Sequence, residues 1–209
     1  MISDDLYKKI LIDPIIKGAD KLFIVSGYAT SAMASHHLLL STKINPNIQI
    51  KLIIGMCIQG GLSIGNHEGF KKLINSDYPR NFECRYLVSP PPAHSKMYGW
   101  FKNNSPICGF VGSPNYTQTA FMTSQYEVLE SCDPNEIYNF HSRLFYNTIT
   151  CNNLDIEKHI NIYPDIAFAK KRTQDSIKPA LHDYYAKIGL ESIKLSLLDR
   201  NGNIYLCIP

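Results

Sequence analysis

The sequence predicts an α/β layered domain. Three observations carry that expectation: compact apolar runs that stop at glycines, amphipathic stretches that alternate with them, and a further series of strand-like runs in the second half. Ser3, followed by Asp4 and Asp5 and then by Leu6, Ile10 and Leu11, reads as the cap and apolar stripe of a helix that Pro14 bends or ends. KLFIVSG (21–27) is short, apolar and closed by glycine, the pattern of a strand buried on both faces. Residues 29–40 return to a helical pattern, and QIKLIIGM (49–56) is a second buried strand, so the chain begins β-α-β. After the glycine-bearing loop IQGGLSIG, residues 66–74 read as another helix. FECRYLV, KMYGWF, PICGFVG and YEVLES supply four more strands. Behind Pro134, the apolar positions Ile137, Phe140, Leu144 and Phe145 recur at helical spacing. Residues 165–192 mix the basic triplet Lys170, Lys171, Arg172 with a helix through Leu181 and Tyr185. The last residues alternate around Asn201-Gly202, a type I′ hairpin signal.

With 209 residues and 44% apolar content, one domain with a well-packed core and a short appendage is expected. A net charge of +3 permits contact with a polyanion without demanding it. The six cysteines are dispersed, with no Cys-x-x-Cys pair, which argues against a zinc site and for reduced thiols in a cytoplasmic protein. The N-terminus lacks the pattern of a signal peptide, and no run reaches the 18 apolar residues of a membrane span.

Chemistry concentrates in three segments. In AHSKMYGWFKNN, strand alternation puts His94 and Lys96 on one face. A neutral imidazole can attack phosphorus, and an ammonium beside it can neutralise nonbridging oxygens. A lone His-x-Lys is usually a surface pair, so its neighbours decide its meaning. The strand 107–111 runs into Gly112, Ser113, Pro114 and Asn115, a strand-to-helix turn where a hydroxyl, an amide and backbone N–H groups gather as an anion site needs; the bland alternative is that Ser113 or Asn115 caps a helix starting at Tyr116. Glu127, twelve residues beyond Asn115, sits at the start of an apolar strand and wants a partner such as an imidazole N–H.

His-Ser-Lys, then Gly-Ser-Pro-Asn, then Gln-Tyr-Glu resembles, in order, spacing and context, the signature of the phospholipase D superfamily. The upstream strands KLFIVSGY and IKLIIGM and the glycine loop are similar to the nuclease branch. The GM-x-x-x-GG loop with His67 downstream, together with the tail LLDRNGNI, looks like the metal-independent type II restriction endonucleases of the BfiI and NgoFVII type. The resemblance implies a central mixed sheet flanked by helices on both faces, a nuclease domain over residues 1–192, and a hairpin or linker over 193–209 that leads toward a C-terminal DNA-recognition domain. It implies DNA as substrate, no metal or other cofactor, and no membrane partner. By the same resemblance His94 is the nucleophile that forms a phosphohistidine, Lys96, Ser113 and Asn115 hold the phosphate with Gly112 in the same turn, and Glu127 bonds the far nitrogen of His94. A second histidine has to protonate the leaving oxygen.

Candidates for that second histidine within the chain are poor. His141-Ser142-Arg143 mimics the tripeptide but lies in a helical pattern, where a solvated face is expected. His36-His37 falls in an amphipathic helix with at least one ring partly buried, and His159 and His182 have no accompanying constellation. His67 opens a helix beside the glycine loop and is a weaker candidate for substrate contact, Asn66 being explained as a cap. The resemblance therefore implies a homodimer in which each chain gives one His94. Phe101 stands where many relatives have aspartate; alternation turns it away from the phosphate and makes it a packing residue. Phosphodiesterase action on a lipid or another small substrate, and a DNA-binding or assembly module with a dead site, are the alternatives. A membrane-binding loop is not evident, and the basic residues Lys71, Lys72, Arg80, Arg85, Lys102, Lys170, Lys171 and Arg172 serve equally as phosphate contacts or as solvated charge.

Overall fold

The computed structural model describes residues 1–123 and 125–167, and the chain divides into two compact units, Met1–Asp165 and Ile166–Pro209. The predicted helix through Leu181 and Tyr185, the basic triplet 170–172, the Asn201-Gly202 hairpin and the 192/193 boundary lie outside the described residues.

The first unit is built on strands β1 (Lys21–Ser26), β2 (Gln49–Ile54), β3 (Phe82–Leu87), β4 (Lys96–Lys102), β5 (Ser105–Gly112), β6 (Leu129–Cys132) and β7 (Thr148–Thr150). They form one seven-stranded sheet in the order β6-β5-β4-β1-β2-β3-β7. β1, β2 and β3 run parallel, and the remaining pairs are antiparallel, so the sheet is mixed as expected. The main helices are α1 (Ser31–Ile44), α2 (Ile64–Lys72), the short α3 (Gln118–Met122) and α4 (Pro134–Phe145).

Side-chain alternation in the central strands explains the layering. Leu22, Ile24, Tyr98 and Trp100 are fully buried, and on their face the Trp100 indole packs 6.3 Å from the His37 ring of α1 and donates its Nε1–H to the Ile10 carbonyl. Phe23 and Phe101 take the opposite face and meet Tyr138 of α4. Gly99 and Gly109 let α4 lie close, since a Cβ at either would come within 3.1 Å of Ile137. Phe101 is thus a packing residue, although a bulge between Trp100 and Phe101 interrupts the ladder there.

Several boundaries differ from the sequence expectation. The N-terminal helix begins at Tyr7 with no side-chain cap from Ser3, runs as π-helix to Ile12 and continues as Asp13–Ile16, with Pro14 in its first turn, before Gly18 ends it at φ 96°. Thr30 caps α1. Ser63, not Asn66, caps α2, and the Asn66 side-chain oxygen accepts the Ser31 N–H at 2.9 Å, joining the two helices. The strand expected over 126–131 begins only at Leu129, because the Val128 N–H turns to the Ser113 hydroxyl at 3.0 Å. His141 is not solvated: it is 4% exposed, its ring 5.1 Å from Phe23. The expected burial in the His36-His37 pair falls on His37, which is fully buried between the Tyr116 hydroxyl and the Leu11 carbonyl.

Candidate active site

The carboxyl end of β1 and the amino end of β4 lie side by side, because the two strands are antiparallel neighbours with Ser26 opposite Lys96. The chain enters β4 from the proline segment, so His94 precedes the strand rather than standing in it. Gly27 makes room for its ring: a Cβ there would come within 2.7 Å of His94 Cδ2. The Tyr28 ring closes the other side at 5.9 Å, edge to face. His94 is exposed, and its ring nitrogens make no hydrogen bond among the described residues. Its partial burial, and then the Lys96 charge, hold its pKa below the ordinary histidine value, so the ring is neutral at neutral pH.

Lys96 is 8% exposed and donates from Nζ to the His94 carbonyl at 2.6 Å, which leaves two ammonium protons for a ligand. Burial lowers its pKa, and the Glu127 carboxylate works in the other direction. Asn115 arrives from the end of β5. Its Oδ1 accepts the Tyr28 N–H at 3.0 Å, which fixes the amide and leaves its NH₂ to donate elsewhere.

Glu127 departs from expectation. It is 7% exposed and lies in the loop ahead of β6, and it makes no hydrogen bond to His94. One carboxylate oxygen takes a short hydrogen bond from the Ser113 hydroxyl and the other accepts Gln125 Nε2 at 2.8 Å. The only hydroxyl proton of Ser113 is therefore committed to Glu127. Gly112 lets the strand end press against the Val128 carbonyl, where any side chain would collide.

The free backbone N–H groups expected in this turn are mostly engaged. Ser113 N donates to Val128 O at 3.0 Å, Tyr116 N donates to Ser26 Oγ at 2.9 Å, and Pro114 has none. Nor do Ser113 and Asn115 cap a helix: Thr117 caps α3, which is five residues long. The donors that this turn leaves open to the cleft are thus mainly on side chains.

His94, Lys96, Gly112, Ser113, Asn115, Gln125 and Glu127 line one cleft of about 650 Å³, with Met97, Val111 and Phe140 as its apolar wall. His67 is not among its lining. It is 5% exposed, and its Nδ1 lies 3.2 Å from the Tyr86 hydroxyl. Gln125 and Tyr28 are contributors that sequence reasoning passed over; Gln125 stands in the Gln-Tyr-Glu triplet, two residues from the carboxylate it holds. Arg85, a candidate phosphate contact, is occupied by Thr148 and Glu83 and stacks on Phe145 at 4.1 Å. Among the described residues no group of three or more His, Cys, Asp or Glu side chains is placed to hold a metal ion, and no helix is long and apolar enough to cross a membrane.

A fold with a mixed sheet, helices on both faces, and a His-x-Lys, Asn and Glu cleft at the strand ends defines a phospholipase D-type domain. Residues 4–160 match the model of the NgoFVII restriction endonuclease N-terminal PLD domain, and the chain belongs to that family. No curated protein matches the sequence. Among solved structures, the chain is similar to NucT from Helicobacter pylori (16% identity, 71% of this chain and 96% of that one, TM-score 0.46). It is also similar to Nuc from Salmonella typhimurium, a phospholipase D family member (17% identity, 65% and 84%, TM-score 0.45). A third likeness is to polyphosphate kinase from Porphyromonas gingivalis (13% identity, 86% and 26%, TM-score 0.42).

Proposed function

We propose that this chain is the catalytic unit of a metal-independent endonuclease that hydrolyses DNA phosphodiesters through a covalent phosphohistidine on His94. The observation that carries the reading is an exposed, neutral imidazole with no hydrogen-bond partner among the described residues, set beside a buried lysine and a fixed amide in one cleft. Family membership supports it.

His94 attacks phosphorus, forming a P–N bond as the P–O bond to the leaving nucleoside breaks. Lys96 and the Asn115 amide neutralise and orient the nonbridging oxygens. The leaving oxygen takes a proton from a second imidazole that enters the step as imidazolium, its charge favoured by the bound phosphate; the neutral ring so formed then removes a proton from water as that water attacks phosphorus, breaking the P–N bond and freeing His94. Ser113 and Gln125 hold Glu127, whose charge keeps Lys96 cationic.

The second imidazole is His94 of another copy of the chain. Among the described residues, His37, His67 and His141 are buried in other surroundings, and no other histidine lines the cleft. A homodimer whose twofold axis passes beside the cleft completes the site. Because the matched model is that of an N-terminal domain, sequence recognition is assigned to a part of the protein outside residues 4–160. Cleavage in excess EDTA tests the reading. Activity that vanishes on chelation, or that survives His94→Ala, overturns it.

A further inference from the structure

Beside the catalytic cleft lies a second hollow of about 930 Å³, lined by Met97, by a stripe of α4 (Glu136, Asn139, Phe140 and Arg143) with Ser142 beside it, and by Tyr146 just past the helix end. Met97 and Phe140 line both spaces, so the two are neighbours. The stripe is distinct from the buried side of the helix, where Pro134, Ile137 and His141 face the sheet. Glu136, Asn139, Phe140 and Arg143 follow one another by three, one and three residues, the spacing of a single helix face. Phe140 is half-buried at the centre, and Tyr146 is 88% exposed at one end.

The charges on this stripe are arranged in a particular way. Glu136 and Arg143 stand seven residues apart, two turns of helix, and neither has an ion-pair partner among the described residues. Arg143 leans on the Phe140 ring at 5.4 Å instead. A stripe with a negative end, an aromatic middle and a positive end is complementary to itself when reversed. Its midpoint falls between Asn139 and Phe140.

We infer that this stripe is where a second copy of the chain docks: α4 of one protomer lies antiparallel to α4 of the other, with Glu136 of each facing Arg143 of its partner and Phe140 near the twofold axis. An isologous contact requires such self-complementarity, and helices packed about 8–10 Å apart bring these side chains within reach. An axis near Phe140 also sets the two catalytic clefts next to each other, because Phe140 and Met97 belong to both spaces. The inference rests on the dimeric reading above and adds to it the surface and the register. A nucleic-acid strand is a poorer occupant for this hollow, since its one cation is offset by Glu136.

Charge reversal tests it, read by sedimentation of the full chain over a range of concentrations. Glu136→Arg and Arg143→Glu each place two like-charge contacts in a symmetric interface, and each should raise the dimer dissociation constant by about tenfold or more. The double variant E136R/R143E restores both pairs and should return the constant to within about threefold of the unchanged chain. Circular dichroism melts of all three keep folding defects separate, both residues being exposed. Three results overturn the inference. If the unchanged chain is a dimer and both single variants dimerise as well, the surface is elsewhere and the dimeric site stands. If the singles dissociate and the double does not recover, the antiparallel register is wrong. If the unchanged chain is monomeric while it cuts DNA, the dimeric site fails and this surface with it.

Discussion

His94-Ser95-Lys96 and His141-Ser142-Arg143 have nearly the same composition, yet the fold gives them opposite surroundings. The first leads into a strand at the end of the sheet, where a glycine and a tyrosine ring hold the imidazole and leave its nitrogens open. The second lies on a helix face pressed to the sheet. There burial pushes the His141 pKa down to about 4, with one hydrogen bond to the Lys51 backbone and no partner for Nε2. A reactive histidine therefore needs more than the right neighbour in sequence. It needs a position at a strand terminus where the ring can be held without being enclosed.

The largest expected effect is at the open histidine. His94→Ala should lower DNA cleavage by about 10⁴-fold or more while leaving the melting temperature nearly unchanged, since an exposed ring with no hydrogen bond contributes little to stability. Kinetics and a thermal melt on the same preparation measure both halves. The enclosed histidine should behave in reverse. His141→Ala removes a buried ring from the α4 contact and should cost about 3 kcal/mol by denaturant titration, with cleavage retained well below the melting transition. A third variant probes the carboxylate that separates the two environments. Glu127→Gln abolishes the charge that favours the Lys96 ammonium and should reduce turnover by about 10²-fold, with the dimer intact by sedimentation.

Acidity acts on both kinds of histidine in the same direction but through different readouts, turnover for His94 and stability for His37 and His141. The depressed pKa of His94 keeps the nucleophile neutral at pH 7, so the acid limb of kcat/KM should fall below pH 6.5. His37 and His141 are depressed from 6.5 to about 4 in the folded chain. Between those values the unfolded chain binds more protons. Their contribution is thus complete above pH 6.5 and is lost progressively as pH falls toward 4. Melting temperatures at pH 7.5, 6 and 5 should decline in that order, and the decline should be shallower in a folded His141→Ala variant.

β1 and β2 were legible because each is an apolar run with β-branched residues and a sharp end, and both fall within the predicted spans; the short β7, outside any such run, was not. The membership of the cleft was legible too, since His94, Lys96, Ser113, Asn115 and Glu127 do share one space. Bonds between distant segments were not. Nothing in the spacing of Ser113 and Glu127 shows that they bond each other, and that pairing ends the β6 ladder early and removes the Ser113 proton from the cleft. The burial of His141 was hidden because the apolar series Ile137, Phe140, Leu144, Phe145 pointed to a stripe rotated from the one that faces the sheet, which runs through Pro134, Ile137 and His141. His67 was misleading for a related reason: a histidine after a glycine loop looks available, but the Tyr86 hydroxyl, nineteen residues away, occupies its Nδ1.

The most direct test of the central claim is chemical. A DNA substrate mixed with the chain in excess EDTA, quenched with alkali within the first turnover and digested under neutral conditions, should yield a peptide carrying an acid-labile nucleotidyl group on His94. Cleavage that proceeds at full rate with no adduct on His94, or with the adduct on another residue, would contradict the account.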